Sequence, residues 1–184
     1  ALPETTTFIA IRGKDEVIAT ATIIPDSPLG LPMDEIYNPE LTQMRNAGSK
    51  ICEISMLASK ADVVKHAGLS VALKRLIFML SFFKILLDYV KDVLDLDYMC
   101  ITINPRYNAT FDLILFKDMG GLKSYREVNG APAIAKYLNV HGVKAGFSAP
   151  EKKTLCKIFV DNKTSIDKFT GKITFAPFDL KYFF

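Results

Sequence analysis

The fold of this chain is constrained most by a long stripe of apolar residues that closely follows an apolar strand. Residues 51–58 are apolar almost throughout, which is typical of a central strand covered on both faces. From about Gly68, apolar residues recur at alternating spacings of four and three, at Leu69, Leu73, Leu76, Leu80, Phe83, Leu87, Val90 and Leu94. This spacing predicts a helix of about seven turns packed on a sheet.

Shorter patterns predict further elements on both sides of this unit. Runs of β-branched and aromatic residues predict strands at 6–11, 17–24, 98–103, 122–128 and 133–140, with a strand pair near 164–175. Capping and breaking residues predict helices at 39–47, from Asn108 or Thr110 to Lys117, and at 150–159. Because prolines and a glycine interrupt residues 25–39, we expect a loop there.

The composition limits the classes of function that the chain can have. Hydrophobic residues make up 49% of the 184 and charged residues 23%, which suits one globular domain. Charged residues interrupt the long apolar helix, so we expect no transmembrane segment. The three cysteines form no C-x-x-C pair and the two histidines lie far apart, so we expect free thiols and no metal site.

Neither the start of the chain nor its charge pattern indicates export or nucleic-acid binding. The sequence opens with Ala1 and shows no basic and apolar leader, so we expect a shortened N-terminus and a cytoplasmic protein. The net charge is +3, and the C-terminal half is the basic half. Its lysines are scattered among apolar residues and form no arginine-rich block, so nucleic acid is not a predicted partner.

The order of the elements is similar to the GNAT acyltransferase fold. Three segments narrow this resemblance: the loop rich in Pro, Gly and Leu within residues 23–37, the run Cys-Glu-Ile-Ser-Met-Leu-Ala at 52–58, and Ile-Asn-Pro-Arg-Tyr at 103–107. Together they resemble the bacterial long-chain N-acyl amino acid synthases, which are relatives of the acyl-homoserine-lactone (autoinducer) synthases. The likeness spans residues 5–138.

The resemblance implies an α/β (α+β) fold of the GNAT-like acyltransferase type, with a mixed central sheet and helices on both faces. It implies an acyltransferase domain over residues 1–141, and it leaves residues 142–184 as a C-terminal extension that completes or covers the sheet. It also implies transfer of a long-chain fatty acyl group from an acyl carrier protein thioester, or from acyl-CoA, to the amino group of an amino acid or related amine. The acyl-phosphopantetheine is then a donor substrate and no cofactor stays bound. The alternative is a non-catalytic module that binds lipid or acyl carrier protein.

Glu53 is the first candidate for catalysis. An isolated carboxylate in an apolar strand is costly to bury, and burial raises its pKa toward the value that a general base needs. In the related autoinducer synthases, the matching Glu helps to place the amine substrate. The alternative is a structural ion pair between Glu53 and Arg12, Arg45 or Arg106.

Ser55, Met56 and Leu57 follow Glu53 on the same strand. In the GNAT fold this strand splays from its neighbour and leaves backbone N–H groups to hold the thioester carbonyl, so we predict that the donor lies against Met56 and Leu57. Ser55 offers a hydroxyl as a second catalytic group. The alternative for Ser55 is an ordinary hydrogen-bonded serine of the core.

The resemblance also implies a phosphate-binding loop before the long helix. Lys65, Gly68 and Ser70 keep the spacing of the Arg/Gln-x-x-Gly-x-Gly/Ala loop, although Lys and Ser replace the usual residues. The alternative is a plain helix start. A degenerate loop suits an acyl carrier protein, whose phosphopantetheine has one phosphate. Candidate docking charges for this acidic partner are Lys65, Lys74, Arg75, Arg106 and Lys117.

The loop and the strand end supply candidates for binding the two substrates. Leu29, Leu31 and Met33 are predicted to line the acyl groove, because a loop has little other reason to be so apolar. Asn104 and Arg106 follow a predicted strand and are candidates for holding the acceptor's carboxylate. The alternative for the last two is an ordinary turn.

A general acid is not assigned from the sequence. Phe111 occupies the place where the family's late helix often carries a Tyr that protonates the leaving thiolate. Tyr98 and Tyr107 are the possible substitutes. Otherwise the thiolate leaves without protonation by the protein.

Overall fold

A computed structural model describes residues 4–60, 70–125, 130–148, 152, 164–166 and 173–175. The chain divides into two compact units. The first comprises Ala1–Lys60 and Leu96–Asn139, and the second comprises Ala61–Asp95 and Val140–Phe184. The predicted domain boundary after residue 141 stays a prediction.

The first unit is built on a mixed sheet. Its strands in chain order are β1 (Thr6–Arg12), β2 (Glu16–Pro25), β3 (Ile51–Ser59), β4 (Tyr98–Ile103), β5 (Lys117–Asp118), β6 (Lys123–Tyr125) and β7 (Ala131–Asn139). They lie in the order β1-β2-β3-β4-β7-β5, and β6 also pairs with β7. β3 and β4 are parallel, and the other described pairs of this sheet are antiparallel. The predicted mixed α/β architecture with a mixed central sheet is therefore confirmed.

Helix α1 (Asp34–Asn46) corrects the prediction of a loop over residues 25–39 followed by a helix from Pro39. The helix begins five residues before Pro39 and bends at Tyr37, whose φ of −118° and ψ of 25° are not helical. Proline lacks the N–H that a continuous helix needs, so the bend before it separates two helical segments. Asp34 and Glu35 lie in the first turn, where negative charge favours the helix dipole.

Helices flank the sheet of the first unit on both faces. On one face, α1 packs into a buried cluster of Leu31, Met33, Tyr37, Leu41, Ile51, Cys100 and Ala135. The next residue, Lys136, points to the opposite face because strand side chains alternate. There its fully buried Nζ lies 2.6 Å from Asp112 Oδ1 of α3 (Asn108–Leu113). We call the first surface the α1 face.

Helix α3 is shorter than predicted. It follows a 3₁₀ turn at Pro105–Tyr107 and ends at Leu113 instead of Lys117. Leu115 has a φ of +69°, which a continuing helix does not allow. Lys117–Asp118 then pairs with β7 as the short strand β5.

The second unit contains the long apolar helix. Helix α2 (Val71–Asp88) continues into a π-helical turn at Tyr89–Val93, and its stripe of buried residues includes Leu80, Phe83, Leu87 and Val90. A short α4 (Val143–Gly146) was not predicted, whereas the pair β8 (Thr164–Ile166) and β9 (Ile173–Phe175) was. Most of the helix predicted at 150–159 lies outside the described residues. Over the described part, no helix is both long and apolar enough to cross a membrane.

Candidate active site

Glu53 is a buried carboxyl group on the α1 face of β3. Its side chain is 3% exposed, and the backbone N–H of Met33 donates a hydrogen bond of 2.8 Å to Oε2. Burial raises the pKa of Glu53 to about 7; the negative charge of Asp34 also raises it, and the Met33 N–H lowers it. A carboxyl group with such a pKa exchanges its proton near neutral pH.

The three arginines proposed as structural partners of Glu53 have other contacts. Arg12 lies 2.8 Å from Glu16, and the Arg106 guanidinium stacks on the Tyr107 ring at 4.6 Å. Arg45 binds Asp26 and Asp34. Among the described residues, no ion pair involves Glu53, so the burial of this carboxyl is not explained by a structural salt bridge there.

Arg45 fixes the backbone that reaches Glu53. Its guanidinium forms forked hydrogen bonds of 2.6–2.8 Å with Asp26 and Asp34, which tie the start of the loop to α1. Asp34 Oδ2 also accepts the N–H of Leu31 at 2.7 Å. These contacts hold the turn before α1, and they therefore hold the Met33 N–H against Glu53.

β3 and β4 separate immediately after Glu53. Their ladder pairs Ile51 with Tyr98, Cys52 with Met99 and Glu53 with Cys100, and then it ends although both strands continue. Among the described strands, the remainder of β3 pairs with β2 alone. A cleft between two parallel strands therefore opens at Glu53, and beyond this point the β3 backbone has no described ladder partner on the β4 side.

A β-bulge distorts β3 along this cleft. Thr22 pairs with Ser55 and Thr20 with Ala58, so β3 has one residue more than β2 in this interval. Met56 lies in the bulge with a φ of +51°, and its side chain is 76% exposed. Thr20 Oγ1 donates a hydrogen bond of 2.9 Å to the Met56 carbonyl oxygen. Bulges redirect backbone groups and recur next to active sites.

The predicted acyl-groove residues fall into two environments. Leu31 and Met33 belong to the buried cluster under α1, whereas Leu29 is 68% exposed. The apolar character of this loop is thus largely accounted for by packing. Their role in acyl binding stays a prediction.

The other predicted residues are only partly brought together. Ser55 lies two residues beyond Glu53, and Asn104 follows the end of β4, so both adjoin the cleft. Asn104 Oδ1 accepts the N–H of Arg106 at 3.1 Å. Ser70 precedes α2 in the second unit, and Lys65 and Gly68 lie outside the described residues.

A hydroxyl pair at the cleft was missed by the sequence analysis. The Tyr125 hydroxyl lies 3.1 Å from Thr102 Oγ1. Burial raises the pKa of Tyr125, as do the negative charges of Glu53 and Glu35, whereas the hydrogen bond to Thr102 lowers it. No sequence pattern reveals this pair, because 23 residues separate its members along the chain.

Two further features of the sheet are a pair of thiols and a cavity. Cys52 and Cys100 are free buried thiols, and burial raises the pKa of Cys100 to about 12. A cavity of about 410 Å³ opens at the other end of β4, lined by Glu40, Gln43, Met44, Ala47, Ser49, Tyr98, Asp118, Met119 and Tyr137. In the part of the chain that the structure describes, no group of three or more His, Cys, Asp or Glu residues is arranged to hold a metal ion.

Comparisons with known proteins show a family relationship. The family model described as N-acyl amino acid synthase FeeM matches residues 1–139. The solved structure of FeeM, an N-acyl amino acid synthase from uncultured soil microbes, is 33% identical with a TM-score of 0.66; the match covers 78% of this chain and 73% of that one. No curated protein matches the sequence.

More distant solved structures also match. A CoA-dependent acyl-homoserine lactone synthase, MesI, is 14% identical with a TM-score of 0.48, over 83% of this chain and 67% of that one. Spermidine N-acetyltransferase from Vibrio cholerae in complex with CoA and spermine is 15% identical with a TM-score of 0.47, over 74% of this chain and 66% of that one.

Proposed function

Because this chain belongs to the FeeM family of N-acyl amino acid synthases and is therefore an acyltransferase, we propose that it makes long-chain N-acyl amino acids. The acyl group comes from the phosphopantetheine thioester of an acyl carrier protein, and the acceptor is the amino group of an amino acid or related amine. The carbon–sulfur bond of the thioester breaks and an amide bond forms. The observation that carries this proposal is the buried Glu53 at the point where β3 and β4 separate.

Glu53 is the proposed general base. An amine attacks a thioester only in its neutral form, and the nitrogen must lose a proton as the amide forms. With a pKa raised to about 7 by burial, Glu53 is deprotonated in about half of the molecules at neutral pH and accepts that proton directly or through water. The Met33 N–H holds Oε2, and this leaves Oε1 for the proton.

The bulge of β3 is the proposed donor site. Negative charge develops on the thioester oxygen during attack, and fixed backbone N–H groups stabilise it without rearrangement. Met56 and Leu57 lie beyond the point where the β3–β4 ladder ends, and their N–H groups are the proposed donors. The pantetheine chain would lie along this strand edge, with Ser55 supplying a hydroxyl beside Glu53.

Arg106 and Asn104 are the proposed anchors for the acceptor's carboxylate. Both are exposed after the end of β4, and a guanidinium binds a carboxylate through two parallel hydrogen bonds. Leu29 is the loop residue with apolar surface left for the acyl chain. Lys65, Gly68 and Ser70 remain the proposed contacts of the donor's phosphate.

The direct test is to mix the protein with C12–C16 acyl carrier protein thioesters and pooled amino acids and to detect amides by mass spectrometry. The proposal requires amide products that depend on the protein. Binding of acyl carrier protein or fatty acid without any amide would instead support the alternative of a non-catalytic module. Parallel reactions with acyl-CoA identify which thioester is the better donor.

Glu53→Gln tests the proposed base. The variant keeps the size of the side chain but cannot accept a proton, so we expect kcat to fall by roughly 10²- to 10⁴-fold with little change in the KM for the donor. Glu16→Gln is the matched control, because Glu16 lies in the β1–β2 hairpin, where it binds Arg12 and Lys60. Unchanged turnover of Glu53→Gln with both substrates saturating would rule out the base assignment.

A further inference from the structure

The Tyr125 hydroxyl lies on the same face of the sheet as Glu53. Glu53 pairs with Cys100 and Thr102 pairs with Ala135, and Cys100 and Ala135 both belong to the cluster under α1. Cross-strand partners share a face, so Glu53 and Thr102 both point to the α1 face. The Tyr125 hydroxyl lies 3.1 Å from Thr102 Oγ1 and is therefore on the α1 face as well.

The hydroxyl pair also lies at the open end of the cleft. Thr102 is two residues beyond Cys100, which is level with Glu53, and this corresponds to about 7 Å along β4. Asn104 follows two residues later. The polar groups along this edge thus run from Glu53 through the hydroxyl pair to Asn104 and Arg106.

Tyr125 and Thr102 retain one hydrogen-bond donor between them. Two hydroxyls carry two hydrogens, and their mutual bond uses one of them. The other has no partner among the described residues. Tyr37 on the same face differs, because its one hydroxyl hydrogen already has acceptors in the carbonyl oxygens of Ala133 and Gly121.

We infer that Tyr125, positioned by Thr102, binds the acceptor by donating a hydrogen bond to the carboxylate of the amino acid. This inference rests on the proposed function, since it assigns the amine end of the acceptor to Glu53. An amino acid presents its amine and its carboxylate only a few ångströms apart, which matches a base and a neutral donor on one face of a cleft. A neutral donor suits this position next to Glu53, with Arg106 farther along the edge, because a hydrogen bond to a charged group is strong and a neutral donor places no cation beside Glu53.

The test compares Tyr125→Phe with the wild-type protein on two acceptors. One is the amino acid that the wild type uses best, and the other is the amide of that amino acid, which lacks the carboxylate. We expect the variant to raise the KM for the amino acid by about tenfold or more and to change the KM for the amide much less, because a hydrogen bond to a neutral amide oxygen is weaker than one to a carboxylate. A purely structural role for Tyr125 would affect both acceptors equally, and that result would overturn the inference.

Two further sets of variants guard against misfolding and nonspecific effects. Thr102→Val removes the positioning hydroxyl and should show the same selective loss, whereas Thr102→Ser keeps the hydroxyl and should restore acceptor binding. Tyr137→Phe is the matched control, because Tyr137 lies on β7 and lines the separate cavity. A loss in Tyr137→Phe equal to that in Tyr125→Phe would contradict the inference.

A binding measurement separates this inference from the proposed function. Calorimetric titration with N-dodecanoylglycine and N-dodecanoylglycinamide needs no turnover. If Tyr125→Phe binds N-dodecanoylglycine more weakly than the wild type does, and N-dodecanoylglycinamide equally well, the inference is supported. This holds even if the wild type makes no amide, in which case only the proposed function fails. Equal affinities of wild type and variant, equal losses for both ligands, or no binding by the wild type would each refute the role of Tyr125.

Discussion

The proposed base Glu53 is buried at the expense of stability. Its carboxyl group is buried with one backbone hydrogen bond, and no ion pair offsets its desolvation within the described residues. Burial therefore disfavours the charged form and raises the pKa from the ordinary value of 4.5 to about 7. The same shift that makes the group a base near neutral pH makes the folded protein less stable when the group ionises.

This reasoning predicts how stability depends on pH. Between pH 4.5 and about 7, Glu53 stays protonated in the folded protein but is ionised in the unfolded chain. The folded state then binds more protons, so raising the pH through this interval lowers the free energy of unfolding, by about 3 kcal/mol in total. Urea denaturation of wild type and Glu53→Gln at a series of pH values measures this change in the free energy of unfolding. The wild type should lose stability relative to the variant up to about pH 7 and lose no more above it; parallel curves would contradict the raised pKa.

At the scale of elements, the loop and α1 act as a support for Glu53. Arg45 near the end of α1 binds Asp26 at the start of the loop and Asp34 in the first turn of the helix. Arg45 holds the pKa of Asp34 below its usual value, chiefly through hydrogen bonding. The support fixes the turn that aims the Met33 N–H at Glu53, so a residue remote from the cleft controls the environment of the proposed base.

Arg45→Lys tests this support. A lysine is a point charge that cannot fork between two carboxylates, so we expect a loss of about 1–2 kcal/mol in the free energy of unfolding. The Met33 N–H lowers the pKa of Glu53, and loosening it should raise that pKa. The rising limb of the pH–rate profile should therefore move to higher pH. Arg12→Lys in the β1–β2 hairpin is the control, and an unmoved limb in Arg45→Lys would show that the loop is held in another way.

The bulge of β3 is a second element-scale feature. Met56 is not a glycine, yet its φ is +51°, a conformation that costs roughly 1–2 kcal/mol for an L-residue. The hydrogen bond from Thr20 to the Met56 carbonyl helps to hold it. Such strain is retained where the surrounding sheet imposes it, and here it lies beside the proposed thioester site.

At the scale of the whole molecule, charge bears on the choice of donor. The net charge is +3 and the C-terminal half is the basic half, which suits an acidic carrier protein. Of the predicted docking residues, Arg106 and Lys117 are exposed in the first unit, whereas the side chains of Lys65, Lys74 and Arg75 lie outside those described. The carrier protein as donor remains a proposal that salt dependence can test.

We predict that the KM for an acyl carrier protein thioester rises several-fold between low and high salt, because the Debye length shrinks from about 10 Å at 0.1 M to about 3 Å at 1 M. Acyl-pantetheine, which has neither phosphate nor protein, should show no such rise. Lys117→Glu should raise the KM for the carrier-protein donor only, and Lys14→Glu in the hairpin turn is the control. A KM for the carrier-protein donor that does not change with salt would argue against electrostatic docking.

Much of the fold followed from local sequence patterns. The strands at 51–58 and 98–103 and the long helix were predicted because periodicity of apolar residues reflects which side of an element faces the core. The wrong start predicted for α1 had a local cause as well. Pro39 is typical of a helix start, and Pro32 made a loop the expected structure for the first turn of α1. The short β5 and α4 were missed because so few residues carry no periodic signal.

Part of the candidate site could likewise be predicted from the sequence, and part of it could not. The sequence by itself singled out Glu53, because a charged residue in an apolar strand stands out energetically without knowledge of its neighbours. Only the tertiary structure decided where β3 separates from β4 and that the Met33 N–H donates a hydrogen bond to Glu53. It also decided that Arg12, Arg45 and Arg106 bind other groups, and that the Tyr125 hydroxyl contacts Thr102. These contacts depend on strand register and loop path over 20 residues or more, and such distances are set by packing of the whole unit and not by any local pattern.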